Sequence, residues 1–129
     1  MGLKGLKAFM GNSSGLEDKL HNCPVFLNKA EFPIYNKLLS KGEAFIQYMS
    51  PDEYLMKCKE MQNYEKSIKE YIKSVIDQEK VNKYYQAMVN GEKFPLIMLD
   101  YITYMQEGRH RALAAKKYKI KKLPVIIVQ

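Results

Sequence analysis

The chain has 129 residues, 47% of them hydrophobic and 12% aromatic, with two cysteines and a formal net charge of +7. That length and composition fit one globular domain able to bury its own core, and exclude an intrinsically disordered chain. No apolar run approaches the ~20 residues that span a bilayer, and two cysteines far apart in sequence suggest neither a zinc site nor a disulfide framework.

Met1 to Leu20 is glycine-spaced and weakly patterned, and Met1-Gly2-Leu3-Lys4-Gly5-Leu6-Lys7 lacks the long apolar region of a signal peptide. Leu6 also spoils a myristoylation pattern, so a cytoplasmic protein is the expectation. Gly11-Asn12-Ser13-Ser14-Gly15 reads as a flexible connector. From His21 to Ser40, Cys23-Pro24-Val25-Phe26-Leu27 and Phe32-Pro33-Ile34-Tyr35 are short apolar pieces broken by proline, which predict mixed loop and short elements. Residues 1–42 form, on this reading, an N-terminal extension, partly flexible or loosely packed, and residues 43–129 the domain proper.

Gly42 opens Glu43-Ala44-Phe45-Ile46-Gln47-Tyr48-Met49, a strand by composition. Ser50-Pro51-Asp52-Glu53 is a helix start: Ser50 caps, Pro51 suits the first position, and Glu53 closes a capping box. Capping accounts for Glu53 better than a role as a carboxylate near an anion site. The helix buries Tyr54, Leu55, Cys58 and Met61 on one face, making Cys58 a buried thiol. Tyr64, Ile68, Tyr71, Ile72, Val75 and Ile76 match a helical period, although Val75-Ile76 also suits an extended connection. Val81, Tyr84, Tyr85, Met88 and Val89 predict another helix, which Asn90-Gly91 stops. These aromatics and methionines read as core. Leu123-Pro124-Val125-Ile126-Ile127-Val128 is a buried strand, with its proline near the start, where a missing N–H is tolerated.

The chemistry concentrates between the last two elements. An apolar extended segment, Pro95 to Asp100, precedes Gln106-Glu107-Gly108-Arg109-His110-Arg111, and an alanine-rich run with high helix propensity follows. A glycine turn at a helix N-terminus presents free N–H groups where the helix dipole favours anions. Arginines there are disfavoured unless something negative joins them, and the expected partner is a phosphate. From Glu107 onward seven arginines and lysines face that single acid. Lys116, Lys117, Lys119, Lys121 and Lys122 are thus candidates for nucleic-acid contact, or a solvated face that aids solubility. Asp100 ends a strand before a turn, where capping is favoured over metal coordination.

Phe94-Pro95-Leu96, the turn Glu107-Gly108-Arg109-His110-Arg111-Ala112-Leu113-Ala114-Ala115 and the closing Leu123-Pro124-Val125-Ile126-Ile127 resemble the ParB/sulfiredoxin superfamily. The likeness is greatest to small ParB-like domains of phage and mobile elements, whose Met-Ser-Pro-x-Glu-Tyr-Leu segment corresponds to Met49 to Leu55. It covers about residues 45–128 and implies an α+β fold: a small mixed sheet with packed helices, ending in a strand, Gly-Arg-His-Arg turn, helix and strand. It further implies that the turn grips nucleotide phosphates, CTP or ATP with Mg²⁺, or a nucleic-acid backbone. Gly108 would allow close approach to the amides of Arg109, His110 and Arg111. Arg111 would clamp phosphate oxygens, and His110 would donate a hydrogen bond with a raised pKa.

Arg109 stands where sulfiredoxin has its reactive cysteine, which excludes that chemistry unless another thiol substitutes. Without the helix-turn-helix and dimerisation domains of partition ParB proteins, centromere recognition is not expected of this chain. Two alternatives stay open. One is a metal-dependent nuclease, NTPase or phosphotransferase with Glu107 as base or metal ligand, although Glu107 equally suits an ion pair with Arg109 or Arg111. The other is a phage factor that docks on a host protein.

Overall fold

A computed structural model describes residues 22–129. Among them run β1 (Phe26–Ala30), α1 (Pro33–Ser40), β2 (Phe45–Met49), α2 (Pro51–Met61), α3 (Ile68–Val75), α4 (Gln78–Val89), β3 (Phe94–Asp100), β4 (Met105–Glu107), α5 (Arg109–Lys117) and β5 (Leu123–Val128). This is a mixed α+β arrangement. No helix among the described residues is long and apolar enough to cross a membrane. The Gly11–Gly15 connector lies outside the described residues.

The five strands make one mixed sheet in the order β1-β3-β5-β2, with β4 also paired to β3. β1, β3 and β5 run parallel, while β2 is antiparallel to β5. β1 occupies the first half of one β3 edge, registering Phe26 with Phe94 and Ala30 with Leu96; β4 takes the second half, registering Met98 with Glu107. β3 and β5 are central, which explains their near-continuous apolar runs: all six residues of β5 are buried.

The boundary expected between residues 42 and 43 does not appear among the described residues. β1 supplies a strand to the common sheet, and α1 joins the same core through buried Tyr35 and Leu39. The prolines that obscured this region in sequence occupy positions that tolerate them: Pro33 begins α1, where no intrahelical N–H is needed. The helix predicted from Tyr64 starts later, because Asn63 turns the chain with φ 55° and Ser67 caps Ile68–Val75 by accepting from the Glu70 amide. Ile76 is extended.

The sequence signals for α2 act locally. Ser50 Oγ accepts the Glu53 amide at 3.1 Å, and Pro51 sits in the first turn. Tyr54, Leu55 and Cys58 then point inward, fully buried. Tyr54 matters most to the turn beyond β4: its hydroxyl lies 3.1 Å from the Met98 carbonyl and 2.9 Å from the Glu107 carbonyl, tying α2 to both strands just before Gly108. α5 packs on α2, α4 and β3 through Ala112, Ala114 and Ala115, whose small side chains let the helix approach closely.

Candidate functional site

Gly108 joins β4 to α5 with φ 130°, and a Cβ there would lie 2.2 Å from Ile97 Cγ2. Glycine is required both by the backbone and by the proximity of β3. As the N-cap of α5 it offers no side-chain acceptor, and no acid occupies the helix's first turn. The opening amides therefore lack the side-chain cap that α2, α3 and α4 each possess.

The three side chains that follow separate. Arg109 Nη1 donates to Gln62 Oε1 at 3.1 Å and approaches the Tyr71 hydroxyl at 3.4 Å. That hydroxyl also donates to Gln62. Both partners of Arg109 are neutral, and it forms no ion pair among the described residues. His110 turns to α4, where its Nε2 accepts the Asp77 amide at 3.1 Å. Asp77 in turn caps α4 through the Glu79 and Lys80 amides. Arg111 is 4% exposed. Its Nη1 meets Glu31 Oε1 at 3.0 Å and its Nη2 meets Glu107 Oε1 at 2.5 Å, while Nε has no acceptor.

The expected convergence of Arg109, His110 and Arg111 on one point is not what the geometry shows. Arg111 is not a free clamp, because two carboxylates already neutralise it. Glu107 is likewise held as the i−4 partner of Arg111, the structural option foreseen for it. His110 Nε2 is an acceptor here, so the hydrogen bond expected from His110 to a phosphate could come only from Nδ1. Its pKa is lowered, not raised: burial acts first, and Lys80 and Arg109 add positive charge. No group of three or more His, Cys, Asp or Glu able to hold a metal occurs among the described residues. Burial pushes the Cys58 thiol up to about 12, a pKa that leaves it unreactive.

The basic segment after the turn also divides. Lys116 pairs with Asp52 at 2.7 Å. Lys117 donates to Asn82 at 2.7 Å and lies over the Tyr85 ring. Lys119, Lys121 and Lys122 are exposed beyond the far end of α5. A nine-residue helix spans about 13 Å, and that length separates them from the turn. The residues that engage the turn, Glu31, Gln62, Tyr71 and Asp77, carry no sequence signal of doing so. Glu31 lies 80 positions from Arg111.

A concavity of about 810 Å³ lies elsewhere: Ile34, Leu38, Phe45, Ile102 and Val128 line it near the C-terminal ends of β3 and β5. Asp100 beside it is committed to structure. It accepts the Tyr35 hydroxyl and the Ile102 and Thr103 amides, which hold its carboxyl below the usual range despite burial. No family model, no curated protein and no solved structure matches this chain.

Proposed function

We propose that the start of α5 binds a phosphate group, carried by a nucleotide or by a nucleic-acid backbone, in the manner implied by the resemblance to ParB-like domains of mobile elements. The observation that supports this reading is Arg109: a cation with only neutral partners, beside an uncapped helix N-terminus. Arg109 supplies the charge-assisted contact and the opening amides supply the dipole-aligned donors. Arg111 acts as a positioning residue, fixing the turn through Glu107 and Glu31. With Arg111 held by two carboxylates, the Arg109 guanidinium and one helix terminus carry the interaction, so affinity is modest and falls as salt rises.

Isothermal titration with CTP, ATP and a short duplex DNA, each with Mg²⁺, tests the reading. Arg109→Ala should weaken binding at least about tenfold, corresponding to loss of one charged hydrogen bond, while the fold persists. Binding that is unchanged in Arg109→Ala removes the turn as the site.

A further inference from the structure

Three large apolar side chains that remain in water share one concavity. Ile34 on α1, Phe45 at the start of β2 and Ile102 in the turn after β3 are 54%, 42% and 65% exposed. All three line the space of about 810 Å³ at the C-terminal ends of β3 and β5. Apolar walls of this kind favour a cover that removes them from water. The charged lining residues are Glu43 and Asp100, and no lysine, arginine or histidine joins them, although the chain's net charge is +7. Neither carboxylate forms an ion pair among the described residues. Tyr35 and two amides already occupy Asp100, so exposed Glu43 is the group open to a cation. The occupant that complements this cavity is apolar and basic.

We propose that residues 3–10 of this chain dock in it, with Leu3, Leu6, Phe9 and Met10 against the apolar walls and Lys4 or Lys7 paired with Glu43. That stretch lies outside the described residues, and its sequence combines four large apolar side chains with two lysines and no acid. It is also within reach. The described residues begin at Asn22, just before β1, while the cavity lies at the far ends of β3 and β5, which run parallel to β1. Seven-residue β3 spans about 23 Å. Residues 11–21, which open with the linker composition Gly11-Asn12-Ser13-Ser14-Gly15, extend to about 36 Å. A tethered segment has an effective concentration on the order of millimolar, so a few apolar contacts and one exposed ion pair suffice to hold it. None of the residues lining the cavity belongs to the Gly108 turn, so this docking and phosphate binding are separable.

Two measurements on the full chain test it. A water-soluble carbodiimide joins a lysine to a carboxylate only in direct contact, so it should form an amide between Glu43 and Lys4 or Lys7 within one molecule. A mixture of ¹⁴N and ¹⁵N chains distinguishes that product from one between copies. Phe9→Ser keeps both lysines but removes an apolar anchor, and should lower the crosslink yield about tenfold. Independently of any variant, nuclear Overhauser contacts should connect the Phe9 ring to the methyl groups of Ile34 or Ile102. A Glu43 that reaches neither lysine overturns the proposal, as does a yield unchanged in Phe9→Ser. A crosslink found only between copies overturns it in favour of a second chain. Absence of the Phe9 contacts overturns it in favour of an outside partner.

Discussion

A guanidinium that is 4% exposed must find counter-charge, and Arg111 takes it from Glu31 and Glu107, which keep 48% and 40% of their side chains in water. The costs are unequal. Losing one carboxylate leaves the other in place, whereas losing both strands a buried cation. Glu31→Gln or Glu107→Gln alone should therefore cost about 1 kcal/mol, and the double variant about 3–5 kcal/mol. Urea unfolding of the four-member cycle reads the excess over additivity. Gly108→Ala should be severe, about 2–5 kcal/mol by the same measurement, because an unfavourable backbone conformation adds to the clash with Ile97. His110 gives the residue scale its pH dependence. In the unfolded chain it gains its proton near 6.5, and in the folded chain only below that, since burial, Lys80 and Arg109 oppose the charge. Between those two values the unfolded state binds more protons, so stability rises with pH and falls as pH drops below 6.5, levelling off beneath the folded value. Chemical unfolding midpoints across that interval should show this slope, and His110→Gln should flatten it.

At the scale of elements, α2 and β5 were legible because their signals are local. Ser50-Pro51 specifies a helix start whatever follows, and six apolar residues with a proline near the start specify a central strand. The stop at Asn90-Gly91 is of the same kind, with Gly91 at φ 89° just past α4. β1 and α1 were not legible, since Phe26–Ala30 becomes a strand only by pairing with β3, some seventy residues later in the chain. For the candidate site, the glycine turn and the helix it opens could be read from the sequence. The directions of Arg109, His110 and Arg111 could not, because Gln62, Asp77 and Glu31 come from three separate elements or connections. Lys116 and Lys117, read as a nucleic-acid surface, occupy the last turn of α5, where the helix dipole favours cations regardless of ligand.

Among the described residues, the positive charge that follows Glu107 is not gathered at one site. The cation at the turn is Arg109, and the exposed Lys119, Lys121 and Lys122 lie beyond the opposite end of α5. A long nucleic-acid backbone could touch both ends, whereas a nucleotide could touch only one. The two ligands therefore separate by salt: lysine contacts steepen the salt dependence for DNA and leave nucleotide binding unaffected. The central claim concerns the turn alone, and amide-resolved NMR tests it most directly. Titrating the ¹⁵N-labelled chain with ATP should shift the amides of Gly108, Arg109 and His110 first, and Arg109→Ala should abolish those shifts. Shifts confined to Lys119–Lys122, or a turn whose amides stay still at saturating ATP, CTP and DNA, would contradict it.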